Sequence, residues 1–280
     1  MDMITTGDLR MPRLGLGTFR MTGPDCTRAV LGALTLGYRH IDTAEMYGNE
    51  AEVGEALAGT DVRRDDIHLT TKVWHANLAP DAIRRALETS LSKLRTDHAD
   101  LYLIHWPTPG MNLPAALEML MKLRSEGLVR QIGVSNFTVA LMRQAVEEIG
   151  APVVCNQVEY HVLLNQAKVL DYARSRDIAV TAYCPLARGG LGAYPALAGV
   201  AHRHGVTPEQ VALKWLLDQP GVAAIPKASQ PANQQANLDA LSLHLDAADL
   251  AAIATLPKDV RVVDGGFAPI GAKISHGRGI

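Results

Sequence analysis

The sequence predicts an α/β chain closed into a single (β/α)₈, or TIM, barrel. Three observations predict it. Eight short β-type runs alternate with amphipathic helical stretches over roughly 250 residues. Most of the runs recur at intervals of about 23–32 residues, the length of a strand–helix unit. The runs also finish on polar or aromatic residues, as expected where strand C-terminal ends build a reactive face. An open, doubly wound sheet is the alternative arrangement of the same elements.

An N-terminal β-hairpin is expected first, because residues 3–14 hold Gly7-Asp8 between two short β-type runs. The barrel strands are then read at residues 14–16, 38–42, 68–72, 101–105, 131–134, 154–159, 179–182 and 222–225. Helical patterns fill residues 26–36, 50–58, 80–94, 114–126, 139–149, 166–176, 196–204, 208–218 and 231–241. Pro80, Pro114, Pro208 and Pro231 open four of them, where a missing N–H costs little. Thr207-Pro208-Glu209-Gln210 reads as an N-cap with acidic first-turn support. The interval after the seventh strand is longer and leaves room for one more helix, and residues 246–256 add an extra C-terminal helix. No linker or low-complexity tract divides the chain, so residues 1–280 are read as one domain, with 257–280 an irregular tail rich in Gly.

Composition excludes several classes. Apolar residues make up 48% of the chain and charged residues 20%, ordinary for a globular protein. A formal charge of -2 without a basic run gives no reason to expect nucleic-acid binding. No apolar segment reaches membrane-span length. The first residues have neither a basic start nor an apolar core, so no signal peptide is expected and a cytoplasmic location is. Cys26, Cys155 and Cys184 are far apart and make no zinc or redox spacing, which reads as reduced thiols. His202 and His204 lie two apart, do not share a helix face and are expected to be solvated.

Three consecutive strands finish on ionisable residues. Asp42, Lys72 and His105 end them, and Tyr47 follows the first. An isolated Asp at such a place is commonly a helix cap and an isolated His a structural one, but a full ring of polar strand ends is harder to dismiss. A buried Asp needs a partner, and Lys72 is of the right kind. An ammonium beside a phenol favours the phenolate and lowers its pKa from about 10, which would make Tyr47 a proton donor near neutral pH. His105 would orient a carbonyl oxygen. No placed Ser or Cys nucleophile is found, and a hydride from a nicotinamide would supply what attacks the carbon. Gly15-Leu16-Gly17-Thr18-Phe19-Arg20 lacks the third glycine and the helix of a Rossmann fingerprint. Ser135, Asn136 and Gln157 instead have the chemistry to hold a carboxamide, Tyr183 to stack on a flat ring and Lys227 to pair with phosphate.

These stretches together resemble the aldo-keto reductases. The resemblance is carried, in order, by residues 15–19, by Gly37-Tyr38-Arg39-His40-Ile41-Asp42-Thr43-Ala44, and by Tyr47-Gly48-Asn49-Glu50. It continues through Thr71-Lys72-Val73-Trp74, Leu103-Ile104-His105-Trp106-Pro107 and Ile132-Gly133-Val134-Ser135-Asn136-Phe137. Residues 156–161, Ala182-Tyr183-Cys184-Pro185-Leu186 and Ile225-Pro226-Lys227 complete it. The chain is most similar to the short-tailed bacterial 2,5-diketo-D-gluconate reductase type. The resemblance implies NADPH-dependent reduction of aldehydes and ketones, small polar or sugar-derived dicarbonyls among them, by a monomer. It implies a tetrad of Asp42, Tyr47, Lys72 and His105, with Tyr47 as proton donor.

It also implies a cofactor held by Gly17, Thr18, Asp42, Ser135, Asn136, Gln157, Tyr183, Leu186, Lys227, Asn233 and Asn237. Phe19, Tyr47, Trp74, His105 and Trp106 would meet the substrate, with specificity from residues 188–195 and 262–280. The chain departs from the family at Ala228, where a Ser is common, at Asn233, where an Arg often meets the 2′-phosphate, and at Cys184, where a Ser is usual. NADH use therefore remains open beside NADPH. A regulatory barrel that binds nicotinamide without catalysis is the alternative function.

Overall fold

The computed structural model describes residues 2–263. Two short strands, β1 (Met3–Thr6) and β2 (Leu9–Pro12), pair antiparallel, with Thr6 opposite Leu9 across the Gly7-Asp8 turn. Gly7 has φ 51°, the left-handed conformation that a tight turn asks of glycine. Eight parallel strands follow: β3 (Leu16–Gly17), β4 (His40–Asp42), β5 (His68–Val73), β6 (Ala99–Ile104), β7 (Val129–Ser135), β8 (Val153–Glu159), β9 (Ala179–Tyr183) and β10 (Val222–Ala224). Each pairs with the next in sequence. The outer edges also meet: Leu14 bridges Ala224 in parallel, and Gly15 N and Gly17 N donate to Ala224 O (2.9 Å) and Pro226 O (3.2 Å). The arrangement is that of a (β/α)₈ barrel.

Helices α1 (Gly23–Leu36), α2 (Glu50–Ala58), α3 (Pro80–Leu94), α4 (Leu113–Ser125), α5 (Val139–Arg143), α6 (Ala167–Ser175), α7 (Pro195–His204), α8 (Pro208–Leu217), α9 (Pro231–Asp239) and α10 (Ala247–Ala254) connect or follow the strands. α5 runs on as a π turn over Gln144–Glu148, so the stretch expected as one α-helix changes its hydrogen bonding midway. Thr207 and Gln210 form a reciprocal capping box on α8, and Asp246 and Asp249 form one on α10. The stretch expected to be strand from residue 38 begins only at His40, because Tyr38 N still bonds to Ala33 O and closes α1. His204, expected to be solvated, instead lies 2.7 Å from the carboxylate of the fully buried Asp249, which Arg203 also contacts. Residues 257–263 are irregular, apart from a bridge between Asp259 and Leu164; the rest of the expected tail, 264–280, lies outside the described residues.

Alternation along the strands divides the core. Outward residues such as Ile41, Leu69, Tyr102, Ile132 and Val180 pack under the helices. Inward Leu101, Leu103, Cys155, Ala179 and Ala223 pack against Ile4, Leu9 and Met11 of the hairpin, which closes the bottom of the barrel. Just above it, the buried rings of His40 and His68 meet edge-on, 4.9 Å apart, with His40 Nδ1 3.1 Å from Pro12 O. Burial pushes both histidines below their ordinary pKa, His68 strongly so.

Gly54 lets α2 and α3 touch. A methyl group there would fall inside the carbonyl oxygen of Lys93 and against the Leu94 backbone. Alanine favours a helix by about 1 kcal/mol over glycine, but that gain is smaller than the cost of pushing two backbones apart. Gly54→Ala is therefore expected to lower stability by about 1–3 kcal/mol net. Thermal unfolding should show a fall in Tm of roughly 5 °C, and an unchanged or raised Tm would contradict the packing account.

Candidate active site

Asp42, Lys72, Ser135 and Gln157 sit on inward positions near the C-terminal ends of β4, β5, β7 and β8, where the barrel brings neighbouring strand ends together. His105 is the first residue after β6 and Tyr183 the last of β9. Lys72 and Asp42 are essentially inaccessible, and Lys72 Nζ lies 2.5 Å from Asp42 Oδ1. The ammonium also donates to Thr43 O (2.7 Å) and, at 3.4 Å, to the Tyr47 hydroxyl. Gln157 Nε2 donates to the other carboxylate oxygen of Asp42 (2.7 Å). One connected set of polar groups thus runs from Gln157 through Asp42 and Lys72 to Tyr47.

Tyr47 sits on a single 3₁₀ turn, Glu45–Tyr47, that sequence reasoning did not explain. Two residues outside the predicted set hold it. The Glu45 carboxylate accepts Trp74 N (2.7 Å) and Asn77 Nδ2. Buried Asn49 donates to Thr18 O (2.8 Å) and Met21 O (2.9 Å), while its oxygen accepts Thr43 Oγ1 (3.0 Å). Asn49 stands inside the Tyr47–Glu50 motif, so its presence was visible, but the backbone groups it holds, at Thr18 and Met21, are distant in sequence. The ring of Tyr47 lies 5.0 Å from Phe19 and 5.6 Å from His105.

A cavity of about 800 Å³ opens on this face. Asp42, Tyr47, His105, Asn136, Gln157 and Tyr183 line it, with Phe19 and Trp106 on one side and Leu186 and Lys227 also in its wall. Gly17 lines it too, and a methyl there would stand 2.6 Å from Ile225 O, so only glycine lets these backbones approach. Trp74 directly follows β5. It packs beside His105, ring centroids 5.3 Å apart. Thr18 is buried and donates to Asp42 O (3.0 Å). Asn233 is exposed on the first turn of α9, whereas Asn237 is buried beside the Tyr38 hydroxyl. Arg188 and Val263, from the two segments expected to set specificity, also border the cavity, as do Arg20 and Met46, which were not singled out from the sequence. Among the described residues no group of three His, Cys, Asp or Glu could hold a metal, and no helix is long and apolar enough to cross a membrane.

The donor set suits a nicotinamide cofactor. Tyr183 is half-buried and donates its hydroxyl to Asn136 Oδ1 (2.8 Å), which fixes a flat ring at the cavity wall. Asn136 adopts φ 63° and donates to His105 O (3.0 Å), and Ser135 Oγ donates to Gln157 O (2.8 Å).

The profile of the Aldo/keto reductase family matches residues 13–257. The chain belongs to that family. It is 45% identical over 265 residues to methylglyoxal reductase DkgB of Yersinia pestis, which covers 93% of this chain and 99% of that one. It is 36% identical to methylglyoxal reductase DkgA of Escherichia coli (strain K12), over 90% of this chain and 92% of that one. The crystal structure of a candidate 2,5-diketo-D-gluconic acid reductase B superposes with a TM-score of 0.93 at 42% identity, covering 96% of each chain. The protein is thus an oxidoreductase of the aldo-keto reductase type.

The electrostatics of this reductase correct one expectation. Tyr47 is not brought toward neutrality by Lys72. Burial, then the negative charge of Asp42, pushes its phenol well above the ordinary value, and the hydroxyl keeps its proton. Burial also pulls Lys72 down, against the opposing pull of Asp42. His105 is pushed well below its ordinary value, first by burial and then by Lys72, so its imidazole is neutral.

Replacing Lys72 by Met leaves the Asp42 carboxylate buried with its cation gone. Lys72→Met is expected to cost roughly 3–5 kcal/mol. The double variant Asp42→Asn/Lys72→Met should recover part of that loss, because no lone charge remains. Denaturant unfolding of the four proteins measures the coupling, and strict additivity of the two single effects would show that the ion pair is not the source.

Proposed function

We propose that this reductase converts aldehydes and ketones to alcohols with NADPH, Tyr47 supplying the proton. The observation that carries the reading is the chain Gln157–Asp42–Lys72–Tyr47, which ends on a protonated hydroxyl in the same cavity as His105. Bound there, the dihydronicotinamide would supply the hydride for the carbonyl carbon. Tyr183 would lie against its ring, and the amides of Asn136 and Gln157 with the hydroxyl of Ser135 would hold its carboxamide. One N–H of the Gln157 amide is committed to Asp42, which leaves its other N–H and its oxygen for the ligand. Gly17, Thr18 and Leu186 would shape the site, and Lys227, Asn233 and Asn237 would face the adenosine phosphate.

Neutral His105 has one N–H to donate, and it would hold the carbonyl oxygen within reach of Tyr47. As charge develops on that oxygen, Tyr47 would give up its proton. The Lys72 ammonium, 5.0 Å from the ring centroid, would steady the phenolate that remains. The high resting pKa keeps the donor loaded at neutral pH, and the ammonium acts on the state after transfer. Phe19 and Trp106 offer apolar walls, with Trp74 behind His105. Small polar or sugar-derived dicarbonyls are the proposed substrates, in keeping with the methylglyoxal and diketogluconate reductases that the chain resembles.

Tyr47→Phe removes the proton and little else. It is expected to lower kcat/KM for a carbonyl substrate by about 10²–10⁴-fold, while the Kd for NADPH, measured by fluorescence titration, stays near the wild-type value. A variant with more than half of wild-type turnover in a chemistry-limited assay would remove Tyr47 from the mechanism.

Asn233 stands where relatives often place an Arg, and Lys227 is the cation that borders the cavity nearby. Discrimination against NADH should therefore be modest. Asn233→Arg is expected to tighten NADPH by about 10- to 150-fold, the worth of one charge-assisted contact, and to leave NADH nearly unchanged. The ratio of the two dissociation constants in both proteins is the measurement. A ratio that does not move would mean that residue 233 faces away from the 2′-phosphate.

A further inference from the structure

Glu159 is the last residue of β8, two positions beyond Gln157 and so on the same inward face. It is fully buried. A buried carboxylate is stable only when its lone pairs are filled. At Glu159 most of the partners come from a segment about a hundred residues later. Val262 N donates to Oε1 (2.6 Å) and Val263 N to Oε2 (3.1 Å). Arg261 Nη1 lies 3.4 Å from Oε2. Among the described residues the one other partner of the carboxylate is His161, whose Nε2 lies 3.1 Å from Oε1. Without residues 261–263 the carboxylate would keep His161 alone, so seating of the segment and burial of the charge depend on each other.

The same segment is stitched along the loop after β8 by neutral and backbone contacts. Asn165 N donates to Lys258 O (2.8 Å) and Val260 N to Leu163 O (3.0 Å), and Lys258 Nζ reaches Val162 O (2.8 Å). These contacts stop at residue 260. Beyond it, the backbone N–H groups of Val262 and Val263 donate to the Glu159 carboxylate. Val263 then borders the 800 Å³ cavity, near Tyr183, which pairs with Glu159 across the β8–β9 ladder.

We propose that Glu159 is a positioning residue that clamps Arg261–Val263 against the cavity and so sets the size of carbonyl substrate the site holds tightly. The proposal rests on the reductase reading above for the substrate it positions. Glu159 touches neither substrate nor cofactor in this account. It acts through the backbone of Val262 and Val263, which turn an otherwise open side of the site into a wall. A closed wall favours small carbonyl compounds, and a released one treats small and bulky substrates more alike.

Two variants test the clamp from its two ends. Glu159→Gln keeps the shape and removes the charge. Val262→Pro removes one N–H donor and leaves the carboxylate intact. With methylglyoxal as the small probe and 4-nitrobenzaldehyde as the bulky one, each variant is expected to raise the KM for methylglyoxal by about 5- to 20-fold, with kcat, NADPH Kd and the aromatic aldehyde's KM changed by less than about twofold. The double variant should add little to either single one. Trypsin provides a readout that needs no turnover, because it cuts after Arg261. Cleavage of the Arg261–Val262 bond, followed by mass spectrometry, should be about tenfold faster in Glu159→Gln than in the wild type, whereas Val262→Pro, which creates an Arg–Pro bond that trypsin does not cut, is read by KM alone.

The proposal is overturned if folded Glu159→Gln keeps the wild-type KM for methylglyoxal. It is equally overturned if the variant shifts NADPH Kd and not KM, since Glu159 would then act through Tyr183. Should Glu159→Gln fail to fold, Val262→Pro decides alone, and a wild-type KM for methylglyoxal in that variant overturns the clamp. If the wild-type protein reduces neither probe, the reductase reading fails, while the trypsin comparison still shows whether the clamp exists.

Discussion

The contact between Lys72 and Asp42 is the one on which the remainder of the site is built. Either charge alone would be costly in the middle of the barrel. Joined at 2.5 Å, they make each other tolerable, and each has hydrogen-bonding capacity left over. The ammonium reaches Thr43 O and the Tyr47 hydroxyl, and the second carboxylate oxygen takes the amide of Gln157. One ion pair therefore fixes the relative positions of β4, β5, β8 and the turn that carries Tyr47. It can do so because adjacent strand ends in a barrel stand about 5 Å apart, within reach of a single long side chain.

The barrel was legible because its signals are local. Alternation along β5 and β8 and the intervals between strands can be read without knowing any contact. Asp42, Lys72, His105 and Tyr47 were legible for a related reason: ionisable residues at the ends of apolar runs are conspicuous. The structure brings them together, as the spacing implied. What could not be read was whatever depends on competition between environments. Lys72 is near Tyr47, yet burial and then the charge of Asp42 push the phenol up rather than down. Trp74 follows β5 as expected, and its edge-on contact with the His105 ring could not be read from spacing. Tyr38 looks like strand and belongs to the closing turn of α1, because its N–H finds Ala33 O before the sheet begins.

The residues missed from the sequence share one physical role. Glu45, Asn49 and Glu159 are buried or half-buried polar side chains that satisfy backbone groups of loops at the barrel mouth. Such loops have no ladder to pair with, and a backbone N–H without a partner is expensive once water is excluded. A side chain sent across from another element replaces the missing strand. In a linear sequence these residues look like ordinary surface Glu and Asn, since their partners lie about 28 to 104 positions away.

The histidine pair above the hairpin has a consequence far from the reaction. His40 and His68 are held neutral by burial, as His105 is at the opposite end of the barrel. All three have folded pKa values below that of the free side chain, about 6.5. As the pH falls through that value, the unfolded chain takes up protons that the folded chain refuses. The difference in bound protons then favours unfolding, by up to about 1.4 kcal/mol per pH unit for each histidine. Above that value the linkage vanishes and the barrel keeps its full stability. The acid limit of this enzyme is thereby written into its floor as well as its catalytic face. Activity lost on mild acidification would reflect a shrinking folded population before it reflected any change in the protonation of Tyr47.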